Sequence, residues 1–515
     1  MRLIVLFFYF FNLLLLIGCS ENGVSFLSEF SKIDHIIVNG QVIDGTGKPA
    51  FEADIVIVDD EIVFIGDTSF SEQDFNSRIM SVIDASGRVV TPGFIDLHAH
   101  GNPLKNNQLE NFLAMGVTTI TLGQDGSSPN YNPLSDWLDQ IINQGIGTNI
   151  AMFVGHGTLR NLSGIGLSDS PSTEDIQKMS KMLSETLEYT FGMSTGLEYN
   201  PGLHAEIKEL NQLARIVGKH DRLIMSHMRN EDDDQLEVSI AELLDQGQFA
   251  KVHISHLKAV YGNGKERANQ LLRILNDARD IGVKITADIY PYNASYTGIG
   301  IIFPKWAKTK EQFELAKLNR RDELATYLKN RVNRRNGPEA TLLGTEPFIG
   351  MTLAELAHKR ETSFEDILID EIGPNGASGA YFVMNDELQS QLLTDSFIGI
   401  CSDGSSNGFH PRGHGTFAKI IERYVLKEKI LSLEEAIRKM TSFAASVLAI
   451  EDRGTLKIGQ KADILIFEPN NIKALATYPN PFQLAQGFDI VLVNGEIARK
   501  NNRLTNKLSG KVLKP

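Results

Sequence analysis

The sequence predicts an α/β protein, a (β/α)8 TIM-like barrel with a small β-sandwich domain built from both terminal segments. Three observations lead there. The middle of the chain repeats an apolar, strand-like run followed by a helical pattern at spacings of about 30 residues, the length of a β-α unit, and eight such runs can be counted. Both ends instead carry short alternating bursts separated by Asn-Gly, Asp-Gly and Asp-Asp pairs, which are hairpin signals. The composition is ordinary for a globular protein, 42% hydrophobic and 22% charged over 515 residues with two cysteines, which excludes a disordered chain and a disulfide scaffold.

In chain order, residues 1–18 carry one positive charge, Arg2, and an apolar run from Leu3 to Ile17 broken only by Asn12. That is the layout of a secretory signal peptide, and the run is shorter than the roughly 20 apolar residues of a membrane-spanning helix. It ends in Leu16-Ile17-Gly18-Cys19, which resembles a bacterial lipobox. The resemblance implies cleavage before Cys19, lipidation of that cysteine and anchoring to a membrane of the bacterial cell envelope. Residues 19–33 read as a polar tether. Residues 34–91 give the first part of the sandwich, and residues 451–515, with GTLKIGQKADILIFEP and DIVLVNGEIARK, give the second.

Residues 92–450 are the expected barrel. Its strand-like runs are Phe94 to His98, Val117 to Leu122, Asn149 to Val154, Tyr189 to Thr195, Leu223 to Ser226, Lys251 to Ser255, Val283 to Asp288 and Phe397 to Cys401. The last two are separated by far more than one helix. The charged stretch 303–375, containing KLNRRDELATYLKNRVNRRN, therefore reads as an insertion on a βα loop, a lid or wall on the face where barrels build active sites. The formal charge of −14 argues against a nucleic-acid partner, because phosphate backbones need clustered Lys and Arg.

All but one of the runs end in, or lead directly into, a residue able to bind metal or move a proton. The first gives Asp96-Leu97-His98-Ala99-His100, and because residues i and i+2 of a strand face the same side, both imidazoles can reach one metal ion. The third leads to His156, the fourth to Glu198, the fifth to His227 and the sixth to His256. The seventh closes with Asp288 and Tyr290, and the eighth with Asp403. A lone histidine in an apolar run is usually a core residue, but four with carboxylates at successive strand ends point to a metal-dependent site. His253, His410 and His414 read as structural, the last two shaping the Gly-rich loop around Arg412. The acidic run Glu231 to Asp234 reads as a solvated helix start.

Thr91-Pro92-Gly93-Phe94-Ile95-Asp96-Leu97-His98-Ala99-His100 resembles the opening signature of the amidohydrolase superfamily. SHMRNE, ISHLK, DIYPYNAS and the closing SDGS with HPRGHGTF resemble its N-acyl-D-amino acid deacylase (D-aminoacylase) branch, over roughly residues 34 to 500. The resemblance implies one or two zinc ions held by His98, His100, His227, His256 and Asp403. Asp403 would also take the proton from the attacking water and pass it to the leaving amine. His156 is a candidate for holding the oxyanion, with a structural role in its Gly-His-Gly turn as the other reading. The expected substrate is a small molecule with a free carboxylate. Arg412 can grip that group with two parallel hydrogen bonds, Lys258 and Tyr290 match positions that contact it in the family, and Ser295 is a further candidate.

One departure matters. D-aminoacylases of that branch carry a metal-bridging cysteine in a Gly-Asn-Cys-Gly motif after the second strand, where this chain has Gly123-Gln124-Asp125-Gly126, with Cys401 elsewhere. Glu198, at the end of the fourth strand, is the first candidate for the bridge and Asp125 the second. A third reading has Glu198 binding substrate beside a single metal. The expected reaction is zinc-dependent hydrolysis of the amide of N-acyl-D-amino acids or related D-residue derivatives. A β-aspartyl dipeptidase, a dihydroorotase-like cyclic amidase and a non-catalytic metal- or solute-binding envelope lipoprotein are the other readings.

Overall fold

The structure, a computed structural model, describes residues 30–68 and 78–515. The signal peptide, Cys19 and most of the tether lie outside the described residues. Among the described residues, no helix is long and apolar enough to cross a membrane.

The amino-terminal part forms β1 (His35–Val42), β2 (Phe51–Val58), β3 (Glu61–Gly66), β4 (Val82–Asp84) and β5 (Val89–Pro92). The barrel follows with β6 (Phe94–Asp96), β7 (Val117–Leu122), β8 (Asn149–Gly155), β9 (Gly192–Gly196), β10 (Leu223–His227), β11 (Lys251–Ile254) and β12 (Ile285–Ile289). Three short strands come next, β13 (Ser295–Gly298), β14 (Thr341–Leu343) and β15 (Ser378–Tyr381), before the last barrel strand β16 (Ile398–Ile400). The chain ends with β17 (Ile464–Phe467), β18 (Phe488–Val493), β19 (Glu496–Lys500) and β20 (Arg503–Leu504).

Both ends of the chain contribute to one nine-stranded sheet. The Asn494-Gly495 pair turns β18 into β19 with both residues at positive φ, 49° and 79°, the geometry that matches the twist of a tight hairpin. β5 joins the two halves, running parallel to β1 and antiparallel to β17. The sheet curls back on itself. Ile62 N donates to Gln460 O at 2.9 Å and Ala462 N to Asp60 O at 2.8 Å, so β3 meets the chain entering β17. Ile37, Ile55 and Ile57 from one half pack with Ile464, Ile466 and Leu492 from the other.

The barrel is all parallel in the order β6 to β12 and then β16. Its strands read as continuous apolar runs because helices and core bury both of their faces. The seam closes just beyond the last ladder. Asp403 N donates to His98 O at 2.8 Å, His100 N to Gly404 O at 2.8 Å, and Ser402 N to Asp96 Oδ1 at 2.8 Å. Barrel closure itself therefore brings the first and last strand ends, with their metal-binding side chains, into one place.

The insertion is larger than residues 303–375. It begins at Ser295, because β13 pairs with β15 and β15 with β14 in a separate antiparallel sheet. Capping boxes at Thr309/Gln312 and Thr352/Glu355 start two of its helices, Lys310–Asn319 and Leu353–Arg360. The helix Arg321–Arg334 buries Leu324, Leu328 and Val332 along one stripe in a core with Phe303, Leu353 and Tyr381. This module covers one side of the barrel mouth.

Candidate active site

A cavity of about 450 Å³ opens at the carboxyl ends of the barrel strands, between them and the insertion. His100, Asp125, His227, His256 and Asp403 stand on its floor, with His98 fully buried beneath them. Asp125 comes from the turn after β7, and its Oδ1 lies 3.3 Å from His98 Nε2, 3.2 Å from His256 Nε2 and 3.9 Å from His227 Nδ1. Its Oδ2 is 3.4 Å from His100 Nε2, and Asp403 Oδ1 is 3.1 Å from that same nitrogen. Ligand atoms of His98, Asp125, His256 and Asp403 all fall within 4.8 Å of one another, as do those of His227, Glu231 and His256.

Three of these residues hold left-handed backbone, with φ of 53° at Asp125, 38° at His256 and 49° at Asp403. Such a conformation is unfavourable for a residue with a Cβ and persists only where surrounding bonds over-determine it. The bonds are present here. His256 N donates to Asp288 Oδ1 at 2.5 Å, and Asp403 N is tied to His98 across the seam.

The carboxylate between the imidazoles is Asp125, which replaces Glu198 as the bridging candidate. Glu198 touches one histidine of the cluster, with Oε2 3.2 Å from His227 Nε2, and its other oxygen faces Arg331 at 3.8 Å. The cause is local packing. Gly196 at the end of β9 lies so close to the Asp125 carbonyl that an added Cβ would stand 2.1 Å from it. The Asp125 turn thus fills the space over β9, and Glu198 is carried to the far side of His227.

The electrostatics suit a cation. Burial and Lys258 both lower the affinity of His256 for protons, yet Asp403, Asp125 and Glu231 push its pKa up to about 10. Burial works the same way on His100, and Asp125 and Asp403 lift it to about 9. Burial raises the Asp403 carboxyl, but Arg412 and His256 outweigh it and hold the group well below the usual carboxylate range. Imidazole nitrogens and carboxylate oxygens that gather positive charge this strongly form a donor set for zinc or a similar divalent ion.

The second tier departs from expectation. Glu231 and Asp232 are buried. Glu231 accepts from Lys258 Nζ at 2.8 Å and lies 3.2 Å from His256 Nδ1, which fixes that ring with Nε2 toward Asp125. Lys258 lines the cavity but is already paired with Glu231. Arg412 also lines it, donating from Nη1 to Asp403 Oδ2 at 2.6 Å and from Nη2 to Tyr296 O at 3.0 Å. Ser295 lines the cavity with its Oγ unpartnered. Tyr290 does not line it. The phenol lies behind Arg412, ring to guanidinium 5.0 Å, and its hydroxyl donates to the Met384 sulfur at 3.7 Å.

His156 is not at the reaction centre. It is fully buried, with Nε2 2.7 Å from Glu209 Oε1, and Glu209 also accepts two hydrogen bonds from Arg160. Its residue number sits at a strand end, but it begins the helix His156–Ser163, which turns the imidazole under the floor. His253 is structural as expected, held between Thr286 Oγ1 and Asp288 Oδ2. Sequence reasoning missed Tyr199, Thr297 and Arg335, all on the cavity wall. None of these stands in a motif that could have revealed it.

A profile of the amidohydrolase family matches residues 392–498. The N-acyl-D-glutamate deacylase of Alcaligenes xylosoxydans xylosoxydans is 30% identical over 491 residues, 90% of this chain and 93% of the relative. The chain belongs to the N-acyl-D-amino acid deacylase branch of the amidohydrolases. Solved structures of the branch agree. An N-acyl-D-glutamate deacylase from Bordetella bronchiseptica, complexed with zinc and a phosphonate mimic of the tetrahedral intermediate, superposes with a TM-score of 0.80 at 28% identity, covering 94% of this chain and all (100%) of that one. A D-aminoacylase crystal structure gives 0.79 at 28% identity with the same coverage, 94% and 100%. The fold is thus shared with these deacylases over most of both chains.

Proposed function

We propose that this deacylase hydrolyses the amide bond of N-acyl-D-amino acids with zinc, releasing a carboxylate and the free D-amino acid. The observation that carries the reading is the convergence of four imidazoles with Asp125 and Asp403 on the floor of a cavity that Lys258 and Arg412 line. His98, His100, His227, His256, Asp125 and Asp403 would hold one or two zinc ions. Bound zinc supplies a water that ionises near neutral pH and polarises the scissile carbonyl.

The protein's own groups do the rest. Arg412 fixes Asp403 Oδ2 and leaves Oδ1 on the side of His100 and the cavity, where it would take the proton from the attacking water and deliver it to the leaving nitrogen. Lys258 and Glu231 pair with each other beside His256 Nδ1, which holds that ring with Nε2 toward Asp125. Lys258 and Arg412 present the positive side of the cavity to the substrate's α-carboxylate.

The test is amine release by the zinc-loaded protein from matched N-acetyl-D- and N-acetyl-L-amino acids, with a β-aspartyl dipeptide and dihydroorotate alongside. Turnover confined to D-acyl substrates is expected. Turnover of the dipeptide or the cyclic amide in their place, or of the L series, overturns the reading. Anchoring through Cys19 in the cell envelope is part of the same proposal, supported by the lipobox-like Leu16-Ile17-Gly18-Cys19. Expressed in a bacterium, the full chain should partition into detergent and the Cys19→Ala variant should not.

A further inference from the structure

Three basic side chains of Lys and Arg line the cavity, Lys258, Arg335 and Arg412, and two of them already have a carboxylate partner of their own. Lys258 is held by both oxygens of Glu231, and Arg412 by Asp403 and the Tyr296 carbonyl. Arg335 differs. It is 4% exposed, its one side-chain hydrogen bond among the described residues runs from Nη1 to Asp232 Oδ1 at 3.0 Å, and its Nε is buried with no partner.

Asp232 does not neutralise Arg335 alone, because Arg331 pairs with its other oxygen. Among the described residues, Lys308 of the same insertion donates only to the Glu198 carbonyl, at 3.3 Å. Three insertion cations therefore face two carboxylates, Asp232 and Glu198, and Glu198 is shared with His227. Two more polar atoms lack partners, Ser295 Oγ, whose residue lines the cavity with Arg335, and Tyr381 Oη, whose residue is buried behind that wall. Ser295 and Tyr381 are register partners of β13 and β15, so their side chains share a face, and the Tyr381 ring lies 5.6 Å from the Arg335 guanidinium.

Buried polar groups in folded proteins are nearly always partnered, so three neighbouring orphans mark a place where a partner belongs. Each of the three can donate, and the guanidinium can do nothing else. The missing group is an acceptor, and the surplus of positive charge makes it an anion. We infer that the insertion wall around Arg335, Ser295 and Tyr381 is a second carboxylate subsite, which selects substrates whose D-residue carries an acidic side chain. This rests on the deacylase reading above and specifies its substrate class. A side-chain carboxylate offers two acceptor oxygens to the three donors, whereas the amide isostere offers one and sets its own NH2 against Arg335.

The experiment compares N-acetyl-D-glutamate with N-acetyl-D-glutamine on the zinc-loaded enzyme. The wild type should favour the glutamate by about 100-fold or more in kcat/KM, and Arg335→Met should reduce that ratio at least tenfold. Lys308→Met, which leaves the Arg335–Asp232 pair in place, should reduce it in the same direction and serves if Arg335→Met does not fold. A wild-type ratio near one, or a ratio unmoved in the variants, overturns the subsite. Efficient turnover of neutral N-acetyl-D-amino acids with none of the glutamate overturns the subsite and leaves the deacylase reading standing. Turnover of no D-acyl substrate removes both.

Discussion

Arg412 donates from Nη1 to Asp403 Oδ2 at 2.6 Å, and both side chains are buried. The guanidinium holds the carboxylate that moves the proton, and it does so before any substrate arrives. Arg412→Met should therefore lower kcat by about 100-fold or more, beyond any rise in KM, and Asp403→Asn should lower kcat at least as far. A purely substrate-gripping Arg412 would show its loss in KM, so steady-state kinetics on an N-acetyl-D-amino acid separate the two roles.

Asp125, 3.2 to 3.4 Å from three imidazoles, should control metal content. Asp125→Ala should lower the zinc bound per chain, measured by elemental analysis after gel filtration. Asp125→Cys, which puts another anionic ligand in the same place, should retain it, and Glu198→Ala should leave the count unchanged. A count that falls with Glu198→Ala and holds with Asp125→Ala would return the bridge to Glu198.

Glu209 sits between His156 and Arg160 out of contact with the cavity, with Arg160 Nη1 2.6 Å from its Oε2. Glu209→Ala leaves a buried guanidinium without its counter-ion, a loss of about 3–5 kcal/mol. Denaturant unfolding should show that loss while kcat of the folded enzyme changes little. A large fall in kcat at unchanged stability would put His156 back at the reaction centre.

His414 supplies a pH dependence. Burial lowers its pKa to about 4, against an ordinary value of about 6.5 in the unfolded chain. The folded protein thus keeps the imidazole neutral, and its contribution is complete above about 6.5 and is lost as pH falls toward about 4. At pH 5 the loss is about 2 kcal/mol. His414 already packs edge-on against Phe482 at 5.6 Å with its Nδ1 unpartnered. His414→Phe should accordingly show a smaller drop in denaturation midpoint between pH 7 and pH 5 than the wild type.

The eight barrel strands were legible because burial on both faces leaves an apolar run that periodicity detects, and the four histidines because they stand at the ends of those runs. Other features depend on contacts that sequence does not display. The run from Glu231 to Asp234 has the composition of a solvated helix start, but Lys258 neutralises Glu231 and Arg331 and Arg335 neutralise Asp232 from distant segments. Asp125 reads as an ordinary turn residue until the end of β9 is packed against it. Arg335 ends a helix whose basic residues resemble any exposed helical face. The start of the insertion was missed because SYTG carries no apolar alternation, and its strand exists through its pairing with β15.

The curled sheet has a consequence for how the chain reaches its native state. Arg88 bonds Asp489 at 2.8 Å across 401 residues of sequence, and Asn149, which opens β8, bonds Asp463 at 2.9 Å across 314. During synthesis β1 to β5 leave the ribosome with one edge bare, and their partners in β17 and β18 are made several hundred residues later. The enzyme cannot be completed from its front. Its early hairpins must wait, exposed, for β17 to β19, which makes the docking of that segment a late step of folding.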